Sequence, residues 1–219
     1  MKRASAWGAC CILLAAICTS AVAQATVSEH EITVTPPGRV EFTPVVAMYL
    51  PVGVLMNGVD RDDLSPARRK QLGAASVGAR IGVRINQRFG FDSSILYAPG
   101  LVAVTDASST RDVAGRVLMM GARAVIGTPR ESGKWGFHFA PGFGVIHRHG
   151  TAWARTRGTT DAAVVIGGGV RLRLPEISGS FRFEIEDYVS RTGFHHPREI
   201  SNSSFHHDML WSFGYVIPL

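Results

Sequence analysis

The sequence predicts an all-β protein, an eight-stranded antiparallel up-and-down transmembrane β-barrel. Three observations lead there. Apolar and polar residues alternate with a period of two in eight successive segments, which a 3.6-residue helical period cannot produce. The connections between these segments alternate between short and long, as expected of the two ends of a membrane barrel. Beyond the N-terminal segment no apolar run approaches the roughly 18 residues of a spanning helix, so a multi-span helical membrane protein is excluded.

Composition agrees. The chain has 219 residues, 46% hydrophobic and 18% charged, too apolar for a disordered chain and of a length for one domain. Its 24 glycines follow no triplet period, which removes collagen.

The first segment reads as an address. Lys2 and Arg3 precede an uncharged apolar stretch over 8–17, and Ala21-Val22-Ala23 is a small-residue cleavage signal. The expectation is a Sec-type signal peptide over 1–23, with the mature chain starting at Gln24 and Ala23-Gln24-Ala25 as an alternative cut. All three cysteines (Cys10, Cys11, Cys18) fall inside it. The mature chain then has no thiol for a disulfide, a zinc site or a nucleophile. Ile17, ahead of Cys18, is a poor residue for a lipoprotein site. Loss of Lys2 and Arg3 takes the formal charge from +6 to +4. That is mild, and no basic cluster is interleaved with aromatics, so nucleic acid is not an expected partner.

A polar lead over 24–39 comes before the barrel, expected over 40–219. In the first strand Val40, Phe42, Val46, Met48 and Leu50 oppose Glu41, Thr43 and Ala47, with Pro44 suggesting a bulge or a strand end. Val77, Ala79, Ile81, Val83 and Ile85 then oppose Ser76, Gly78, Arg80, Gly82 and Arg84. Phe89, Phe91, Ile95 and Tyr97 oppose Asp92 and Ser94, and Leu118 to Ile126 alternate, more weakly, with Met119, Gly121, Arg123 and Val125. Trp135, Phe137, Phe139, Phe143 and Val145 oppose Gly136, His138, Ala140, Gly142 and Gly144. Val164, Ile166, Val170, Leu172 and Leu174 oppose Gly167, Gly169, Arg171 and Arg173. The last two are the sharpest: Phe181, Phe183 and Ile185 against Arg182, Glu184 and Glu186, and Met209, Trp211, Phe213, Tyr215, Ile217 and Leu219 against Asp208, Leu210, Ser212, Gly214, Val216 and Pro218.

The short connections are 86–88, 127–134 and 175–179, and the long ones 51–71, 98–111, 147–160 and 190–205. Short periplasmic turns and four long external loops are the matching arrangement. With the apolar face outward, Phe89, Trp135 and Trp211 or Tyr97 would supply aromatic girdles. The inward face would hold a lumen charge network of Glu41, Arg80, Arg84, Asp92, Arg123, Arg171, Arg173, Arg182, Glu184, Glu186 and Asp208. An eight-stranded interior is just wide enough for side chains to fill, so these charges would pair, and the inward glycines leave room for arginine. A water-soluble cup or sandwich would turn the same alternation inside out. Large aromatics on one face, glycine crowded on the other and strands longer than usual in soluble sheets favour the membrane form.

The end of the chain carries a resemblance. Ser212-x-Gly214-x-x-Ile217-x-Leu219 resembles the C-terminal assembly signal of outer-membrane barrels, with Leu219 where Phe is usual, and 181–189 (FRFEIEDYV) resembles their penultimate strand. With the eight-strand count, the mature chain is similar to the small OmpA/OmpX-type outer-membrane β-barrel family. That resemblance implies a Gram-negative outer-membrane location, assembly by the barrel-assembly machinery, and contact with outer-membrane lipid and lipopolysaccharide. It brings no catalytic motif, and such a fold does not settle function.

Six of the eight histidines lie in or beside the last two long loops. His147, His149, His206 and His207 are weak metal candidates, since imidazole with carboxylate suits zinc, copper or nickel. Adjacent residues of a strand point apart, however, and no metal or cofactor is expected. A lipid-A-modifying enzyme would need a nucleophile, a base and an acid. Ser203 or Ser204 with His206 and Glu199 or Asp208 could be named, but no G-x-S-x-G elbow is present. Gly167-Gly168-Gly169 lacks the Lys-Ser/Thr of a phosphate loop. The charged stretch 57–70 reads as a solvated loop able to meet calcium-bridged lipopolysaccharide. The expected function is structural or surface-interacting, with no catalysis and an unspecified extracellular ligand. The alternatives are a small pore or transport barrel and a lipid-A acyl hydrolase or transferase.

Overall fold

The computed structural model describes residues 40–60, 66–106, 109–128, 134–154, 156–174, 178–194, 199–201 and 204–219. The expected signal peptide and polar lead lie outside the described residues. The strands are β1 (Val40–Val52), β2 (Met56–Asp60), β3 (Pro66–Gln71), β4 (Ala74–Arg84), β5 (Phe89–Thr105), β6 (Thr110–Gly127), β7 (Trp135–His149), β8 (Thr160–Arg173), β9 (Ser180–Thr192), β10 (Glu199–Ser201) and β11 (Ser204–Pro218).

Eight of these close a ring. Antiparallel ladders join β1 to β4, β4 to β5, β5 to β6, β6 to β7, β7 to β8, β8 to β9, β9 to β11, and β11 back to β1. Closure leaves the wall without edge strands along its length, which is how a barrel satisfies its backbone groups away from water. At one end Asn86 makes the tight turn from β4 to β5, its Oδ1 accepting the backbone N–H of Arg88 and of Phe89, both at 2.8 Å. This is the local use of an Asx side chain that favours Asn in turns.

The wall is apolar on its outside. Phe143 is 75% exposed, Phe137 61% and Phe91 58%, while Trp135, Phe183, Trp211 and Phe213 also face outward. Their immediate neighbours in sequence, among them Asp92, Arg182, Glu184 and Ser212, are buried inside. This is the reverse of a soluble cup. A continuous outward belt of bulky apolar groups is unstable in water and suited to acyl chains.

Three expectations need correction. Pro44 makes neither a bulge nor a strand end. The β1–β4 ladder runs through Pro44↔Ala79, and the β1–β11 register is the same on both sides of the gap, with Phe42↔Ile217 and Val45↔Gly214. Proline lacks only its own N–H, so one ladder is interrupted locally and no residue is added. Trp211 is no girdle residue: it pairs with Met48 and Ile185 in mid-wall.

The third correction concerns the long loops. Much of 51–71 and 98–111 is strand. The hairpin of β5 and β6 stays paired out to Thr105↔Thr110. β3 adds to its upper half through Arg68↔Thr105 and Gln71↔Val102, β2 pairs with β3, and β10 pairs with β2. The wall thus rises on one side into a collar. Here the two faces no longer divide cleanly by polarity: Arg68 and Lys70 are exposed and Ala67, Val102, Leu55 and Met56 buried, while Arg69 and Gln71 are buried and Leu101 is exposed. A search for outward apolar residues misses strands that stand in water.

Candidate functional site: the lumen and its outer mouth

Inward residues form layers. The lowest, toward the short-turn end, is ionic. Arg80, Arg123, Arg171 and Arg182 meet Glu41, Asp92, Glu184 and Glu186, each with no more than 6% of its surface exposed. Glu184 is the hub. Its Oε2 lies 2.8 Å from Arg80 Nη1, and its Oε1 lies 2.8 Å from Arg182 Nη2, 3.2 Å from Arg123 Nη1 and 3.0 Å from His138 Nε2. Glu186 takes Arg123 at 2.9 Å and also Arg80. Glu41 accepts both Nη groups of Arg171, at 3.0 and 2.9 Å, and Arg84 Nε at 2.9 Å. Four buried cations against four buried anions leave no uncompensated charge among these residues, the condition under which a buried cluster is tolerable.

Glycine makes the space. A Cβ on Gly142 would stand 2.7 Å from Cγ of Arg123, and one on Gly167 would stand 3.1 Å from Arg123 Nη1. Arg84, Arg88, Arg171 and Arg173 share the lining of a cavity of about 40 Å³ at the short-turn end with Phe89 and His138.

Above the ions lies an apolar layer. Tyr49, Leu96, Val117, Met119, Ile146, Val165, Tyr188 and Leu210 are each 0% exposed and pack with Val45, Ala98 and Ala163. A water column through this level would leave them measurable exposure, so the described side chains close the lumen here. A second ionic group covers that layer. Arg148 Nη1 and Nη2 lie 2.6 Å from Asp161 Oδ2 and Asp208 Oδ2, and the Tyr49 hydroxyl donates to Asp208.

The mouth is capped from the collar. A 3-10 turn over Thr151–Trp153 carries Trp153 onto Phe194, ring centroids 4.9 Å apart, among Leu55, Met56, Val102 and Ala152. The Arg148 guanidinium sits 5.8 Å from the centre of the Phe194 ring. Among the described residues, Trp153 Nε1 and Gln71 Oε1 are buried in this cap without a hydrogen-bond partner.

The expected lumen residues therefore fall into two groups. Asp208 does not join the lower cluster but belongs to the upper one, an apolar layer away, and Arg173 lines the cavity at the short-turn end. Sequence reasoning missed Arg148, Asp161, Tyr49 and His138 as network members. The signal was present. Arg148 keeps the parity of Gly142 and Gly144, and Asp161 keeps that of Gly167 and Arg171, once β7 and β8 are extended to their true ends.

The histidines separate. His147 and His149 stack on the outside of β7, 5.5 Å between centroids, and His147 Nδ1 is 2.8 Å from Thr160 Oγ1. Tyr97 flanks His149 at 6.2 Å. His207 faces outward, with Nδ1 2.7 Å from Asp187 Oδ2, while its neighbour His206 faces inward and is buried. Among the described residues no three His, Asp or Glu side chains gather as a metal site. Of the residues considered for hydrolysis, Ser203 and the side chain of Glu199 lie outside the described residues. Asp208 is held by Arg148 and Tyr49. Ser204 and His206 are together, Oγ to Nε2 2.8 Å.

No family model matches the chain, and no curated protein matches it. Solved structures do. The outer membrane protein OprG from Pseudomonas aeruginosa superposes with a TM-score of 0.64 over 84% of this chain and 96% of its own, at 9% identity. Neisserial surface protein A gives 0.51 over 82% and 97%, at 12% identity. The fold is that of small outer-membrane β-barrels. Identity this low carries the architecture only. The lumen layers and the collar cap are argued from this chain's own residues.

Proposed function

We propose that this barrel sits in the bacterial outer membrane as a non-conducting wall whose work is done at its collar, in a structural or surface-binding role. The observation that carries this reading is the apolar layer of zero exposure between two ionic groups. Ions crossing it would lose their hydration with no polar partner in return. The short-turn end then faces the periplasm and the collar faces outward. Export would follow from the segment over 1–23, and the Ser212, Gly214, Ile217, Leu219 pattern would be read by the barrel-assembly machinery. Arg116, His147, His149 and His207 point outward at the collar side of the apolar belt, where cations and imidazoles would meet lipopolysaccharide phosphate.

Purified, folded protein in a planar lipid bilayer provides the test. The expected record has no discrete open channel, and its mobility on an unboiled gel should differ from that of the boiled sample. Steady conductance steps from the wild-type chain would support the pore reading and defeat this one.

A further inference from the structure

We infer that the short-turn end of the barrel binds an anionic phospholipid, its phosphate among arginines at the lumen mouth and its acyl chains in a groove on the adjoining outer wall. The site rests on the orientation proposed above, which puts this end in the periplasmic leaflet, where the lipids are glycerophospholipids.

Charge is the first support. The cavity at this end is lined by five arginines, Arg84, Arg88, Arg171, Arg173 and Arg182, against two carboxylates, Glu41 and Asp92. Both carboxylates are already engaged, Glu41 by Arg84 and Arg171, and Asp92 by Arg123 and Arg182. Among the described residues the lining therefore carries three positive charges in excess. Arg88 is exposed and Arg173 half-buried, so both can turn toward a ligand without leaving the packed ionic layer. A guanidinium fork matches two oxygens of a phosphate.

Space is the second. The cavity measures about 40 Å³, room for about three water molecules or for the free oxygens of one phosphate group, and too little for a sugar or a nucleotide. Gly82, Gly90, Gly127 and Gly136 line it, which keeps side chains out of the space between the guanidinium groups. Thr128 Oγ1 accepts the Phe137 N–H at 3.1 Å, and its own O–H is a further donor at this rim.

The third is continuity with an apolar surface. A groove on the outer wall is lined by Phe89, Ile126, Phe137 and Phe139, all exposed. Arg88, Phe89, Gly127, Thr128, Phe137 and His138 line both the groove and the cavity. His138 reaches the lumen, its Nε2 3.0 Å from Glu184 Oε1, so the two spaces meet across the rim of β5, β6 and β7. A cationic mouth joined to an apolar groove suits a molecule divided in the same way. Free phosphate would satisfy only the mouth, and an uncharged lipid only the groove.

The test uses the full folded chain in an uncharged detergent, with phosphatidylglycerol as probe and native mass spectrometry as readout. Phosphatidylglycerol is expected to stay bound in preference to phosphatidylcholine, and a large excess of inorganic phosphate should not displace it. The same lipid with a diazirine near the head of an acyl chain should cross-link to Phe89, Ile126 or Phe139. Arg88→Gln combined with Arg173→Gln should weaken retention by about 30-fold, the share of two arginines facing anionic lipid, while keeping the folded gel mobility. Equal retention of the two lipids overturns the inference. So does displacement by inorganic phosphate, which would mark an anion pocket alone, and so does unchanged retention by the double variant. Cross-links spread evenly round the belt overturn it as well, and this map is read on the wild type, whatever the variant does. Binding in detergent is independent of orientation in a cell, so its failure is distinct from a failure of the bilayer record above.

Discussion

Asp92 and Arg123 stand directly opposite one another on β5 and β6 and share a two-point ion pair, Nε to Oδ1 at 2.8 Å and Nη2 to Oδ2 at 3.0 Å. Arg182 holds the same Asp92 Oδ2 at 2.9 Å from across the lumen. A register contact between neighbouring strands is thereby tied to a strand on the far side, so the cluster braces the ring as well as neutralising itself.

Removing one partner from this brace leaves a buried charge alone. Arg123→Ala is expected to destabilise the barrel by about 3–5 kcal/mol. Arg84→Ala removes a side chain that is 22% exposed and pairs with Glu41 at the rim, and should cost no more than about 1 kcal/mol. Equilibrium unfolding in urea, followed by folded gel mobility in lipid vesicles, compares the two. Equal small losses would mean a hydrated lumen.

Phe143 tests which medium touches the wall. It lies mid-strand, pairs with Ala122 and Val164, and is 75% exposed. Phe143→Arg in a bilayer should cost about 2–4 kcal/mol, as cations do at the membrane midplane. In water an exposed substitution of this kind would change stability by about 0.5 kcal/mol at most. Unfolding from vesicles separates the outcomes.

Two glycines of the wall differ in what surrounds them. A Cβ on Gly142 would fall 2.2 Å from the Ala122 carbonyl oxygen and 2.7 Å from Arg123 Cα, whereas on Gly168 the nearest atom, the His138 carbonyl oxygen, is 3.5 Å away. Gly142→Ala is expected to destabilise by about 1–3 kcal/mol through overpacking. Gly168→Ala should be neutral or stabilise by up to about 1 kcal/mol, because glycine is entropically costly in a strand. The same unfolding measurement ranks them.

Trp153 holds the cap over the mouth. Trp153→Ala removes a ring stacked 4.9 Å from Phe194, a truncation that costs about 3–5 kcal/mol in a packed core. Its effect should be local. Limited proteolysis is expected to cut the collar of the variant early while the wall keeps its folded gel mobility. A variant that loses that mobility too would show that the cap and the wall fold as one unit.

Much of this architecture was legible in the chain. In the lower wall one face meets an apolar medium and the other a crowded ionic lumen, so the pattern from Phe181 to Glu186 reads off directly. Trp211, Phe213 and Tyr215 are equally plain, and the eight wall strands follow. The collar was illegible for a physical reason. Above the belt Arg68 and Lys70 point out and Val102 packs inward, but Arg69 and Gln71 are buried and Leu101 is exposed, so the alternation no longer sorts polar from apolar. The strands β2, β3 and β10 are too short to announce themselves without a clean alternation.

The sequence by itself determined the eight strands of the wall and the face that the residues of its lower part take, because a two-residue period is a local property of the extended chain and the medium on each side selects it. It also determined that His206 and His207 would part. Only the tertiary structure decided which charges meet. Glu184 with Arg80, Asp208 with Arg148 and Glu41 with Arg171 lie far apart in the chain, and strand registers together with the curvature of a closed ring bring them to one height. The same closure places an apolar layer between the ionic groups, a relationship that depends on distance across a lumen and leaves no trace in spacing along the chain.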